Sequence, residues 1–362
     1  MTGSSAEQNV LPHADSGQWQ SLLKAFSVAS ANAFPGAPDW WRLQAVAKAQ
    51  LICKSGLPTT RLEDWKYTNL VSLHARNRQV ALGPVDVQGP DGLKVLTLSQ
   101  LERAKSEDSG LLSRVREALT MESGGFTGRL CRALVADPFV VSVPQGFRSA
   151  EPIEINWKAL PDGFWSTGAV VVDIGAGAKV SIVERYGRGV DAQSLLTLVN
   201  VGSGATVTHL RSQHGDGKAD YGVVTAATHV GVSEGASYHG VQVSSGSCLA
   251  REDFEVELLR SGAKATADGV YIGKKKQVVD HHTSLTHRVG DTESQQLYKG
   301  ILSDESRGVF NGRIAIAKNA KGSNSSQMNR NLLLSKKVEI DTKPQLEIDN
   351  DDVKAAHGAA IG

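Results

Sequence analysis

The sequence predicts a mainly β protein in which a small helical region precedes a parallel β-solenoid. Three observations support this fold class. The first third carries apolar residues at helical spacing, the rest consists of short alternating runs, and a glycine–alanine turn returns between those runs. The 362-residue chain also has 37 glycines and only 6% aromatic residues, which favours a turn-rich β architecture over a helix bundle.

Residues 1–125 are predicted to form the mainly helical region. Asp39 can cap a first helix, which Gly56 and Pro58 end. Its apolar face is predicted at Leu43, Val46, Ala47 and Leu51. A second helical stretch covers residues 98–119. Its apolar stripe is predicted at Leu111, Leu112, Val115, Ala118 and Leu119. Ser123-Gly124-Gly125 is expected to close the region.

Residues 126–362 are predicted to form the solenoid core. Short strand-like runs occur at 154–157, 170–174 and 180–183. The glycine of the recurring turn lies at Gly177, Gly204, Gly235 and Gly262, at spacings of 27, 31 and 27 residues. Glycine supplies a positive φ at a corner, and the alanine after it is small enough to pack beneath the next coil. A β-sandwich with coincidental glycine turns is the alternative, and the regular spacing favours the solenoid.

Composition excludes several classes of function. Lys and Arg number 39 against 38 Asp and Glu, so charge gives no reason to expect a nucleic-acid or membrane partner. No run reaches the roughly 18 apolar residues that a membrane span needs, and the polar N-terminus has no secretion signal. The cysteines, Cys53, Cys131 and Cys248, are dispersed, so we expect neither a disulfide framework nor a structural zinc site. A cytoplasmic protein fits these features.

The densest group of possible ligands is Asp280-His281-His282, followed by His287. On a strand, Asp280 and His282 face one side, whereas His281 and Thr283 face the other. His281 and His287 would share a face, but at ~3.3 Å per residue they lie about 20 Å apart, too far to share one ion. We therefore expect a solvated or hydrogen-bonded histidine ladder here.

Motifs for hydrolysis or nucleotide binding do not occur. The sequence has no G-x-S-x-G elbow, no G-x-G-x-x-G that opens a helix and no Walker lysine. The polar stretch 319–331 predicts either hydrogen-bond ladders between coils or an edge that pairs with a partner.

The closing segment, 342–362, combines a strand broken by Pro344, an acidic turn at 349–352 and a single histidine, His357. His357 has no cysteine close to it along the chain, so these residues alone favour a structural or surface role. The segment stops inside what looks like a continuing element, and we expect the natural chain to continue beyond Gly362.

Several motifs together identify a family. They are G-L-P-T-T-R-L-E-D-W-K-Y-T at 56–68, V-P-Q-G at 143–146, E-P-I at 151–153, the 280–287 stretch, F-N-G at 310–312, N-L-L-L-S at 331–335 and the closing 343–358. With these motifs in this order, the chain resembles the SufB/SufD family of iron–sulfur cluster assembly proteins over nearly its whole length. The W-K-Y-T motif, the length and the cysteine pattern resemble the SufD branch.

The resemblance implies a helical N-terminal domain followed by a right-handed parallel β-helix, in agreement with the solenoid pattern. It also implies a scaffold, not an enzyme, that forms a heterodimer with SufB and is coupled to the ATPase SufC, which binds ATP in place of this chain. A transient iron–sulfur cluster would form where the end of the β-helix, near 310–362, faces SufB. The C-terminal helical domain with which the family docks SufC is absent from this sequence.

The resemblance also makes His357 a candidate ligand. In the family a histidine at this position lies at the SufB interface and is implicated in handling iron or the cluster. A cysteine usually occupies the position of Ala355, and cysteine thiolate is the usual ligand of iron–sulfur clusters. We expect either that His357 suffices while SufB supplies the thiolates, or that this chain is impaired.

Two other classes of function remain open. One is a β-helix enzyme such as a polysaccharide lyase or an acyltransferase. Such lyases usually carry a secretion signal and acidic calcium ligands on one face, whereas this chain lacks the signal and its acids are scattered. The other is a solenoid binding module without metal chemistry.

Overall fold

The computed structural model describes residues 37–70, 78–104, 108–189, 191–215 and 222–362. The helices in these ranges are α1 (Asp39–Ser55), α2 (Leu98–Arg103), α3 (Ser109–Thr120) and α4 (Gly125–Leu134). A short 3-10 turn spans Glu63–Trp65. The first strands are β1 (Gln79–Leu82), β2 (Val85–Gln88), β3 (Lys94–Thr97), β4 (Phe139–Val143), β5 (Ile153–Trp157), β6 (Phe164–Ile174), β7 (Lys179–Arg185), β8 (Ala192–Val201) and β9 (Thr206–His214). They continue with β10 (Val223–Val232), β11 (Ser237–Ser245), β12 (Leu249–Leu258), β13 (Lys264–Gly273), β14 (Val278–His287), β15 (Glu293–Leu302), β16 (Arg307–Ile316), β17 (Asn324–Leu333), β18 (Glu339–Ile348) and β19 (Lys354–Ile361).

The fold is a β-solenoid of about seven turns, which confirms the predicted fold class. Each coil contributes one strand to each of two sheets. Sheet A has the order β18-β16-β14-β12-β10-β8-β6-β4-β3, with β1 on β6, and sheet B has the order β19-β17-β15-β13-β11-β9-β7-β5-β2. From β4 and β5 onward every pairing is parallel, while β2 and β3 join their sheets in antiparallel fashion.

The coils stack in strict register. Leu249 pairs with Val278, and Val278 with Arg307, so the step from coil to coil is 29 residues in this part of sheet A. Because parallel partners place their side chains on the same side, the alternate residues of each strand form continuous rows along the solenoid. One set of rows faces the interior, and the other faces outward.

The glycine–alanine turns form the corners, as the sequence predicts. Gly177, Gly204, Gly235 and Gly262 have φ values between 61° and 75°. The alanines that follow them are at most 1% exposed and lie between coils. In the next coil Asp291, with φ 55°, takes the place of the glycine, so the sequence motif ends at Gly262 although the corner itself continues.

The interior of the solenoid and its helical cover are both well packed. Inward-facing residues from Val141 to Phe310 form one continuous hydrophobic core between the two sheets. The helices cover the outer face of sheet A, where Leu111 and Val115 of α3 pack with Val171 and Leu198. Burial of this kind contributes about 25 cal/mol per Å² of apolar area and holds the helices on the sheet.

The predicted apolar face of α1 is wrong. Leu43 and Leu51 are 70% and 44% exposed. The buried residues are instead Trp41, Ala45, Lys48, Ala49 and Ile52. The Trp41 indole Nε1 donates to the Val135 carbonyl at 3.0 Å. This contact fixes the rotation of the helix about its axis, so that the face with Trp41 is buried.

The second helical stretch is two helices, α2 and α3, and all five residues of the predicted apolar stripe are buried in α3. Ser123-Gly124-Gly125 does not close the helical part, because α4 begins at Gly125. The strands β1 to β3 lie within the part of the chain that the sequence predicts as helical. In the described residues no helix is long and apolar enough to cross a membrane.

Candidate functional site

The last coil of the described chain consists of β18 and β19, which end sheets A and B. Each pairs on one side only, β18 with β16 and β19 with β17. Large apolar residues are exposed at this end, with Ile348 at 42% and Ile361 at 55%. This coil therefore presents two adjacent strand edges and part of an apolar interior.

His357 lies on the row that faces the interior of the solenoid. It is in register with Gln327, which is in register with Gln296. Gln327 is 2% exposed, and its Nε2 donates to Gln296 Oε1 at 2.5 Å. His357 occupies the same row one coil further on, where it is exposed. The imidazole thus stands at the end of an internal polar row.

Ala355 shares this face with His357. It is in register with Ser325, and it packs beside Ile314, Ile316 and Ala320. Two residues along a strand span roughly 6.6 Å, so side chains at 355 and 357 point the same way as close neighbours. A thiol at 355 could reach a group bound at His357, and the alanine methyl offers no ligand.

The alternation of backbone hydrogen bonds along β19 shows which N–H groups lie on its free edge. Lys354 N donates to Ser323 O and Gly362 N to Asn331 O, so the even-numbered residues of this strand bond to the previous coil. The N–H groups of odd-numbered residues, including His357 and Ala359, therefore point away from the previous coil. Their side chains are the inward-facing ones.

The same alternation of hydrogen bonds explains why β18 can contain Pro344. Asp349 N donates to Ile316 O and Glu339 N to Ser306 O, so here the odd-numbered residues bond to the previous coil. Pro344 is even-numbered, and its missing N–H lies on the free edge, where a strand tolerates proline. The prediction that proline breaks this strand is wrong: the strand runs from Glu339 to Ile348, because the ladder loses no bond at Pro344.

No group of three or more His, Cys, Asp or Glu side chains in the described ranges could hold a metal ion. The cysteines lie far from the last coil in sequence, and burial raises the pKa of Cys131 to about 12. A metal or cluster at His357 would therefore need ligands from outside the described residues. The assignment of His357 as a ligand stays a prediction.

The histidine-rich strand β14 divides as predicted, with Asp280 and His282 outward and His281 inward. The outward part binds the E-D-W-K-Y-T segment. Thr68 donates to Asp280, and Arg251 bridges Asp280 at 3.0 Å and the Asp64 carbonyl at 2.6 Å. Burial opposes ionisation of Asp280, but the charges of His282 and Arg251 hold its pKa well below the ordinary value. This motif thus anchors the N-terminal region to sheet A.

The predicted histidine ladder is only partly correct. His287 bonds to Thr292 at 2.7 Å and to Ser294 at 2.9 Å. His281 is 1% exposed and forms no hydrogen bond with a described residue, and its ring lies between those of Tyr271 and Tyr298, with centroids 5.1 and 5.5 Å away. Aromatic packing holds this ring, and burial lowers its pKa to about 3.

The polar stretch 319–331 forms ladders between coils, which settles the two predicted alternatives. Ser325 and Ser294 bond at 2.6 Å, and Asn331 accepts from the Tyr271 hydroxyl. Because β17 pairs on both sides, with β15 and β19, it is not an edge strand.

Sequence reasoning missed the polar interior of the middle coils. The buried carboxylate of Glu184 accepts from Trp157 Nε1 at 2.7 Å, from Thr197 at 2.7 Å and faces His209 at 3.2 Å. Burial opposes its ionisation, yet these hydrogen bonds, foremost that of His209, lower the pKa of Glu184. The signal was present: in β9, His209, Arg211 and Gln213 occupy every second position, the positions that face inward.

Comparison with known proteins agrees with this architecture. Residues 160–362, more than half of the chain, match the family model described as SUF system FeS cluster assembly, SufBD core domain. The chain is 28% identical over 349 residues to the iron–sulfur cluster assembly protein SufD of Escherichia coli (strain K12), covering 88% of this chain and 80% of that protein.

Two further relatives match a similar share of the chain. A SufBD family protein of Synechocystis is 26% identical over 86% of this chain and 78% of its own length. The SufD protein of Bacillus subtilis (strain 168) is 23% identical over 95% of this chain and 85% of its own length. The chain therefore belongs to the SufB/SufD family of the SUF iron–sulfur cluster assembly system, and it is SufD-like.

Proposed function

We propose that this chain is a non-enzymatic scaffold subunit that pairs with SufB through its last coil and presents His357 to iron or to a nascent cluster at that interface. The observation that carries the proposal is the position of His357, on an inward row that ends at two adjacent free strand edges. In the proposed complex SufC binds ATP, and the assembly works in the cytoplasm.

The chemistry of the last coil supports this assignment. Free N–H and C=O groups along an edge strand are completed by a strand from another chain. Such pairing would cover the exposed Ile361 and place residues of the partner next to His357. An imidazole can ligate iron, and thiolates from SufB would supply the ligands that Ala355 cannot.

The first test is His357→Ala in a complex co-expressed with SufB and SufC and reconstituted anaerobically. Loss of a ligand should lower the iron and sulfide bound per complex by at least about tenfold, with unchanged thermal unfolding. His239→Ala is the matched control, because His239 is also accessible but lies on the outer face of sheet B, 2.9 Å from Asp268. Full cluster content in His357→Ala would refute the ligand role.

The second test is Ala355→Cys. The new thiol would lie beside His357 on the inward face, so cluster content should rise if the missing thiolate limits the protein. The double change Ala355→Cys/His357→Ala separates the two ligands. If Ala355→Cys leaves iron and sulfide content unchanged while His357→Ala lowers it, His357 suffices from this side of the interface.

The third test concerns pairing. Ala359→Pro removes an N–H on the free edge and leaves every bond to the previous coil in place. We expect it to abolish co-purification with SufB, whereas Ala359→Ser, which keeps the N–H, should not. Retention of SufB by Ala359→Pro would show that pairing does not use this edge. Comparison with a chain that carries a SufD-type C-terminal helical domain would test binding of SufC separately.

A further inference from the structure

A group of buried polar side chains interrupts the hydrophobic interior of the middle coils. Arg211 and Gln242 are register partners on the inner face of sheet B, and Glu252 and His281 are register partners on the inner face of sheet A. Each is at most 2% exposed. We call these four residues the internal polar cluster.

Several contacts bring the four residues together across the interior. Ser244 donates to Glu252 Oε1 at 3.0 Å, and the Tyr298 hydroxyl donates to Gln242 Oε1 at 3.0 Å. Tyr298 also packs against the ring of His281. The guanidinium of Arg211 lies 3.9 Å over the ring of Phe254, a neighbour of Glu252 on the same face. These contacts hold Gln242, Glu252 and His281 in place, and Arg211 is held against Phe254.

Much of the hydrogen-bonding capacity of this cluster finds no partner among the described residues. The unpaired atoms are Arg211 Nε and Nη2, Gln242 Nε2, Glu252 Oε2 and both ring nitrogens of His281. An unsatisfied buried polar group costs roughly 1–3 kcal/mol, and more when it is charged. Native protein interiors rarely contain so many unpaired polar atoms in one place, so we expect the cluster to bind a ligand.

The donors and acceptors point to a neutral ligand of water size. Arg211 and Gln242 offer N–H donors, Glu252 offers an acceptor, and the imidazole of His281 offers one of each. Glu252 lies within electrostatic reach of Arg211, so a ligand at the cluster meets a carboxyl group as well as a guanidinium, which disfavours an anion. We propose that the internal polar cluster is a binding site for structural water molecules inside the solenoid.

The same kind of atom continues toward the last coil. Gln296 Nε2 and Gln327 Oε1 also lack a partner among the described residues, and they lie on the row that ends at His357. Water needs two to four polar partners, and this row supplies them at successive coils. These atoms mark a second place, nearer the open end of the solenoid, where water would complete the hydrogen bonds of buried side chains.

A crystal structure of this chain at high resolution, with water oxygen-17 relaxation dispersion in solution, tests the proposal. We expect ordered waters within hydrogen-bond distance of Arg211 Nε and Glu252 Oε2, and long-lived waters in solution. The double variant Arg211→Met/Glu252→Met should lose these waters, whereas Ser325→Ala, at a directly bonded serine, should keep them.

Two results would overturn it. One is a direct Arg211–Glu252 ion pair with no water in the cluster. The other is an anion at Arg211, revealed by anomalous scattering after a bromide soak. If the double variant does not fold, the wild-type structure and its dispersion profile still decide between these outcomes.

Discussion

The middle coils and the last coil share one backbone plan but differ in how their inner faces are filled. In the middle coils the inner face carries Tyr238, Tyr271, Tyr298 and Phe310, all buried. In the last coil the inner face of β19 carries Ala355, His357, Ala359 and Ile361, which are small or exposed. The comparison teaches that large side chains fill the interior of the middle coils, whereas the last coil buries little of its inner face.

The largest expected difference is between two glycine substitutions. A Cβ at Gly269 would lie 2.2 Å from the Tyr298 ring, whereas one at Gly358 would meet only the flexible end of Met328, at 2.9 Å. Gly269→Ala should cost about 3 kcal/mol of unfolding free energy, and Gly358→Ala less than about 0.5 kcal/mol. Urea unfolding measures both, and equal costs would show that the close contact at Gly269 is relieved without a penalty.

The second prediction concerns Glu252, whose contribution to the stability of the middle coils should depend on pH. Burial raises its pKa from 4.5 to about 7, so the stability that its carboxyl contributes is present below pH 4.5 and is lost as the pH rises through 7. The unfolding free energy of Glu252→Gln, relative to that of the wild type, should therefore rise by about 3 kcal/mol between pH 4.5 and pH 8. A constant difference across that range would mean that Glu252 titrates normally.

His281 should show the opposite dependence with a smaller effect. Its pKa is lowered by burial from 6.5 to about 3, so the stability of the neutral ring is present above pH 6.5 and is lost as the pH falls. Relative to His281→Phe, the wild type should lose about 2 kcal/mol between pH 7 and pH 5. Chemical denaturation at the two pH values checks this, and parallel curves would argue against it.

The smallest effect is expected in the last coil itself. His357 is exposed, so His357→Ala should change the unfolding free energy of the isolated chain by less than about 0.5 kcal/mol. A loss above 1 kcal/mol would show that His357 is held by structure, and would weaken its proposed role at an interface. Calorimetry of the isolated chain distinguishes these results.

Sequence patterns predicted the solenoid because the corner chemistry is local: positive φ needs glycine, and close coil packing needs alanine. They failed where tertiary contacts decide. The buried face of α1 depends on the contact of Trp41 with Val135, and the corner at Asp291 has no glycine. Similarly, alternation in β9 shows that Arg211 faces inward, but only the packed coils show what surrounds it.

For the candidate site, the sequence offers candidate residues but not their geometry. The closing motif singled out His357 and Ala355, yet a lone histidine in a sequence carries no direction. His357 lies on the inward row because it is in register with Gln327. Its N–H points to the free edge because the even-numbered residues of β19 form the bonds to Ser323 and Asn331. Both depend on how coils stack, which one strand cannot specify.

The 29-residue step between coils has a consequence for how this chain can change in length. Leu249, Val278 and Arg307 occupy equivalent places, as do Lys264 and Glu293 in the other sheet. Removing or duplicating one such unit would return every later residue to an equivalent position. A change of one residue within a strand would turn the rest of that strand inside out. The corners, in contrast, absorb differences in length, since the step from Ala192 to Val223 is 31 residues and the step from Val223 to Leu249 is 26. Insertions and deletions are therefore expected at the corners or as whole coils.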